Sequence, residues 1–114
     1  MEHELKIKHI GINAGTSDEA EQTAALFAQI LGCHVSSGEV SVFAGTQIEV
    51  MKGSGRGTHG HIALQVNSIE ETIPYFEARG FLFEWNSAQY GADGKLNVLY
   101  LEGEFAGFAV HLSR

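Results

Sequence analysis

The chain aligns with itself. HIGIN (9–13) superposes on HIALQ (61–65), SDEAEQTAALFAQILG (17–32) on the shorter SIEETIPYFEARG (68–80), and QIEVMK (47–52) on AVHLSR (109–114). One such repeat cannot cover its own apolar face, so the halves must pack together. At 114 residues the chain can bury one core of useful size and not two independent ones. A single domain follows, with module 1 at about 5–53 and module 2 at about 57–114.

Each half reads β-α-β-β-β, which makes the expected fold α+β. LKIKHIGIN (5–13) alternates as a strand, with Ile10 and Ile12 on one face and Ile7, His9 and Gly11 on the other. Thr16 or Ser17 caps a helix, with Glu19 three residues after Thr16 as a capping box asks. Ala20, Ala24, Phe27 and Leu31 recur at helical spacing, and Gly32 ends the helix. The runs CHVSS, VSVFAG and TQIEVMKG then predict three short strands separated by Gly38 and Gly45.

The second half repeats this order. It has a strand at 59–66, a helix from Ser68 with Glu71 in the capping-box position, a stop at Gly80 and further strands to the end. Pro74 is expected to shorten or kink the first turn of that helix. Between the halves lies GSGRGTHG (53–60), placed where a linker belongs. It lacks the GKS or GKT ending and the following helix of a phosphate-binding loop.

Polar residues recur inside apolar strands. Glu49 lies between Ile48 and Val50, His61 precedes Ile62, and His111 lies between Val110 and Leu112. Strand side chains alternate, so the apolar flanks face the helices and His9, Glu49, His61 and His111 share the opposite face. Gln47, Met51, Ala63, Gln65, Ala109 and Ser113 join them there, as the lining of a wettable cleft. A lone strand histidine is an ordinary hydrogen-bonded residue. Two histidines at one pair of repeat positions, with Glu49 and His111 at another, point instead to one cation.

Three imidazoles and a carboxylate suit divalent Zn, Ni, Mn, Co or Fe. Four protein ligands leave two positions open on a six-coordinate ion, enough to chelate a substrate with neighbouring oxygens. The chemistry expected is proton transfer or bond cleavage beside a carbonyl, through an enolate or enediolate. Glu49 and His111 are the candidates for moving the proton, should one of them release the metal. His59, on the face of His61, reads as a substitute ligand, a contact behind the ligands or to substrate, or a turn residue, the last two being preferred, whereas His3 and His34 have no repeat partner. Arg56 and Lys95 are candidate contacts for an anionic substrate, with Trp85, Tyr90 and Tyr100 as pocket walls or packing.

A net charge of −7, with scattered basic residues, argues against nucleic acid or an anionic membrane as partner. The charged N-terminus MEHELKIKHIGI is unlike a signal peptide, and no run of 18 apolar residues exists, so a cytoplasmic location is expected. Cys33 has no cysteine partner and reads as a buried structural thiol.

The paired modules with HIGIN, IEVM, GHIALQV and AVHLSR resemble the vicinal oxygen chelate superfamily. That group includes glyoxalase I, extradiol dioxygenases, methylmalonyl-CoA epimerase and antibiotic-resistance (bleomycin-type) binding proteins. The resemblance implies a curved mixed sheet around a metal-binding cleft with the helices outside, and His9, Glu49 and His61 as metal ligands. It departs at His111, where glyoxalase I carries a glutamate implicated in moving the proton. A neutral imidazole there leaves the site more positive and favours anionic substrates. SVFAGTQIEVMK, AQYGADGKLNVLYL and FAGFAVHL are also similar to the glyoxalase-like domain attached to some bacterial keto-hydroxyglutarate and keto-deoxy-phosphogluconate aldolases. That likeness implies a 2-oxo acid as ligand.

The functional expectation is a metal-dependent lyase or isomerase acting on a small molecule with vicinal oxygens. The rivals are a sequestering or sensing protein of the same fold and a structural partner domain. A symmetric homodimer is expected, with ligands drawn from one chain or from two.

Overall fold

Two parallel strand pairs with the same register build the centre of the molecule. Strand β1 (Lys6–Asn13) runs parallel to β4 (Ile48–Met51) and sets Gly11 beside Glu49. Strand β5 (Gly60–Gln65) runs parallel to β8 (Phe108–Ser113) and sets Ala63 beside His111. Gly11 and Ala63 are repeat equivalents, as are Glu49 and His111, so both modules hold one register. An antiparallel ladder joins β1 to β5 and pairs His9 with Ala63 and Gly11 with His61. The computed structural model describes residues 5–114, and His3 lies outside them.

With β2 (Val35–Ser37), β3 (Ser41–Ala44), β6 (Phe83–Tyr90) and β7 (Leu96–Leu101), the strands form one mixed sheet in the order β2-β3-β4-β1-β5-β8-β7-β6. One chain thus completes the whole sheet. This is the α+β arrangement expected, with two tandem β-α-β-β-β modules.

Helix α1 (Ser17–Leu31) starts at Thr16, whose side chain accepts a hydrogen bond from the Glu19 amide. It ends at Gly32, in the left-handed conformation glycine tolerates best. Its buried face is Ala20, Ala24 and Ala28, closing on Val42 and Val50 of the sheet. The expected face differs here: Phe27 is only partly buried and Leu31 is exposed. Alanines let the helix axis approach the strands closely, and the larger side chains turn outward.

Helix α2 (Ile69–Glu77) is capped in the same way by Ser68, which accepts from the Glu71 amide. Pro74 lies in the second turn and not the first, and the helix continues through it to Glu77. Ile69 and Phe76 pack with Leu99, Leu101 and Leu112. Val50 and Leu112 occupy the sheet face opposite Glu49 and His111, so both helices cover one side and leave the other as an open cup. No helix among the described residues is long and apolar enough to cross a membrane.

One irregularity breaks the alternation of β1. Ile7 pairs with Leu64 while His9 pairs with the next residue, Ala63, leaving Lys8 as the extra residue of a β-bulge. Ile7 therefore sits on the helix side, not on the face of His9 as simple alternation predicts.

Because Thr16 satisfies one of the free amides at the start of α1, Thr16→Ala should cost about 1 kcal/mol in urea unfolding. No change in stability would show that the cap contributes nothing.

Candidate metal centre

The cup gathers the four repeat-derived residues from four strands. His9 Nε2 lies 3.1 Å from His61 Nε2, His61 Nε2 lies 3.1 Å from Glu49 Oε1, and His9 Nε2 lies 3.3 Å from the same oxygen. The three donor atoms form a nearly equilateral triangle. His111 stands beside them, and a ligand atom from each of His9, His61 and His111 lies within 4.8 Å of the others. Glu49 is fixed from behind by the Ser41 hydroxyl, which donates to Oε2 at 2.8 Å.

The room for this cluster comes from small residues across the central ladder. The His61 ring lies directly over Gly11, and any Cβ on Gly11 would overlap the ring atoms. Ala63, fully buried, is the equivalent partner of His9. Phe43 meets the His9 ring edge to face at 5.9 Å, and Tyr100 tilts over His111 at 4.7 Å. These two residues face Glu49 and His111 across their ladders and wall the two ends alike.

The donor set fits a cation better than it fits protons. The carboxylate has only lone pairs to offer, and each neutral imidazole Nε2 carries either a lone pair or one N–H. Whichever tautomers are chosen, one of the three short contacts opposes two lone pairs or two N–H groups. A single ion bonded to all three atoms removes that conflict. Ligand distances of about 2.0–2.2 Å around one ion place neighbouring donors roughly 3.0–3.5 Å apart, the spacing found here.

The electrostatics agree. Hydrogen bonds from His61 first, then His9, hold the Glu49 carboxyl far below the usual carboxylate range, against the opposing effect of burial. His111 Nδ1 donates to the Leu112 carbonyl at 3.2 Å, which leaves the Nε2 lone pair free. Burial lowers its pKa from the ordinary 6.5 to about 4. His111 is therefore neutral near pH 7, as a ligand must be.

Other expected contacts fall differently. Arg56, from the segment joining the modules, lies 4.4 Å above the Tyr100 ring and pairs with Glu84 at 3.1 Å. Beside it is a cavity of about 170 Å³ lined by Arg56, Glu84, Tyr100, Glu104 and Ala109, among others. That segment is tied down: Asn13 donates to the Gly57 carbonyl and accepts from the Gly55 amide. His59 is an exposed turn residue whose ring lies over Gly107. Trp85 and Tyr90 are more than half exposed, and Lys95 sits in the β6–β7 turn next to Asp93. His34 is exposed, and Cys33 is only partly buried, with its sulfur beside Gly45. Ser41, Phe43 and Lys8 are additions that alternation around the histidines did not single out. Ser41 and Phe43 could have been found by extending the face of Glu49 to the neighbouring strand. Lys8 could not, because the bulge reverses its side.

The fold is the vicinal oxygen chelate fold. The chain is similar to the hypothetical protein BH1468 from Bacillus halodurans C-125, with a TM-score of 0.63 and 21% identity over 96% of this chain and 93% of that one. It is also similar to methylmalonyl-CoA epimerase from Mycobacterium tuberculosis, with a TM-score of 0.62 and 15% identity over 94% and 85% of the two chains. A Streptomyces coelicolor methylmalonyl-CoA epimerase in complex with 2-nitronate-propionyl-CoA gives a TM-score of 0.60 and 15% identity over 94% of each chain. No protein-family signature and no curated protein sequence matches the chain.

Two outcomes follow. Gly11→Ala should displace the His61 ring, lowering divalent-cation affinity at least ~10-fold in titration and stability by about 1–3 kcal/mol. Unchanged cation binding would contradict the close approach. For His111 the folded pKa lies below the unfolded one, so its stabilising effect is complete above pH 6.5 and is lost as pH falls toward 4. The slope approaches ~1.4 kcal/mol per pH unit. Glu49 begins to titrate in the unfolded chain only near its ordinary 4.5, below most of this window. Cation-free protein should thus lose stability between pH 6.5 and 4 more steeply than His111→Gln, as read by urea unfolding; parallel curves would refute the assignment.

Proposed function

We propose that this chain is a divalent-cation-dependent enzyme of glyoxalase-like type, an isomerase or lyase acting on a small molecule with vicinal oxygens. The observation that carries this reading is the 3.1–3.3 Å triangle of His9, His61 and Glu49, whose mutual contacts protons alone cannot satisfy. Epimerases of the same fold that act on methylmalonyl-CoA support the isomerase class. A 2-oxo acid, whose neighbouring carboxylate and carbonyl oxygens suit a chelating cation, is the substrate class we infer.

His9, His61 and Glu49 would hold the ion, with His111 completing the set. A divalent cation there supplies Lewis acidity toward a chelated carbonyl and so acidifies the neighbouring C–H. Glu49 lowers the net charge of the site by one and is held in place by Ser41. Were His111 to let go of the ion, its neutral Nε2 is the group suited to take up the proton. Its low basicity requires an acidified C–H partner, and it stays unprotonated throughout the neutral range. Phe43 packs against the His9 ring and Tyr100 against the His111 ring, one at each end of the cup.

The test is metal analysis of protein purified without a His tag and without added metal, followed by a screen of 2-oxo acids and glutathione hemithioacetals for proton exchange in deuterated water. About one divalent ion per chain, lost in His61→Ala, with exchange at carbon beside a carbonyl, is the expected result. Trace metal unaffected by His61→Ala would overturn the cation reading. Stoichiometric metal with no exchange on any compound would overturn the enzyme in favour of a sequestering protein.

A further inference from the structure

The bulge in β1 changes what the cup can recognise. Regular alternation would send Lys8 to the helix side of the sheet, away from His9. Because Ile7 pairs with Leu64 and His9 with Ala63, the extra residue is re-aimed into the cup, and Lys8 Nζ donates to the Ser113 hydroxyl at 3.0 Å. Ser113 is two residues beyond His111 on β8, on the same face.

No carboxylate among the described residues lies within ion-pairing distance of Lys8. Arg56, Lys52 and Arg114, by contrast, all have acidic partners in this chain, where 14 acidic residues outnumber seven basic ones. An ammonium on the cup side that bonds, among the described residues, only to a hydroxyl is placed to receive an anion. Two residues along a strand span roughly 6–7 Å. Ser113 thus stands that far beyond His111, and Lys8 directly precedes His9, so a group bonded by both lies at the edge of the cluster, within reach of a short carbon chain held at its centre.

We propose that Lys8 and Ser113 form an anion subsite at one end of the cup, and that the substrate is a small 2-oxygenated acid with a second carboxylate seated there. This rests on the cation reading above. The charges match: a divalent ion with Glu49 leaves one positive charge and Lys8 adds another, against the two negative charges of a dicarboxylate.

The test compares two probes of equal chain length, 2-oxoglutarate and 2-oxopentanoate, by calorimetry on protein loaded with a stoichiometric divalent ion. Only the first carries the distal carboxylate. Wild type should bind 2-oxoglutarate at least ~10-fold more tightly, the increment of a charged hydrogen bond. Lys8→Met should abolish that preference while leaving ion content and 2-oxopentanoate affinity unchanged, and Lys8→Arg should retain most of it. Equal affinity of wild type for the two probes, or a preference that survives in Lys8→Met, would overturn the subsite and leave the cation reading standing. Failure to load the ion at all would overturn both.

Discussion

Everything at the site depends on the antiparallel ladder between β1 and β5. That ladder sets Gly11 opposite His61 and Ala63 opposite His9, so each ring rests over a position with little or no side chain. The parallel pairs β1–β4 and β5–β8 then bring Glu49 beside Gly11 and His111 beside Ala63. Slipping the central ladder by one residue would turn the ligands of one module to the helix side. The burial of Val50 and Leu112 under the two helices is what opposes such a slip, since the same shift would expose apolar side chains. Core packing and site geometry are thus one constraint seen from the two faces of the sheet.

Much of this was legible in the sequence because repetition samples the same physics twice. HIGIN and HIALQ share a period-two pattern, and Thr16 and Ser68 share a capping role three residues before a glutamate. The order of elements and the shared face of His9, Glu49, His61 and His111 follow from those local rules. The parts not legible depend on pairing between distant strands. Alternation assigns Ile7 to the face of His9, but the strand opposite imposes an extra residue at Lys8 that no local pattern records. Similarly, helical spacing counts Phe27 and Leu31 as inward, whereas the close fit of α1 on the sheet is set by three alanines.

Electrostatically the cup separates two roles among groups of similar chemistry. His9 and His61 share an acceptor in Glu49, and the mutual hydrogen bonding keeps the carboxylate ionised despite burial. Among the described residues, His111 has no carboxylate partner. It is tied to a backbone carbonyl and enclosed beside Tyr100, so burial dominates and keeps it neutral. The substitution of imidazole for carboxylate at this one repeat position moves the cup toward positive potential, within a chain whose net charge is −7.

The repeat builds a nearly two-fold symmetric cradle, and symmetry alone cannot tell one end of a substrate from the other. Departures from the repeat supply that direction. Glu49 and His111 differ at equivalent positions, and so do Met51 and Ser113. Lys8 corresponds to Gly60, whose backbone lies so close to Gly11 that a side chain would strike its carbonyl. One end of the cup therefore carries an ammonium and a hydroxyl, while the equivalent end carries a thioether and bare backbone. On the proposed reading, a molecule chelated at the centre would meet a polar direction and an apolar one, and its distal charge would determine which way round it binds and which of its carbons faces His111. Of the proposed cation ligands only His9 and His61 are shared between the halves, and it is the unshared residues, Glu49 and His111 among them, that give the cup its direction.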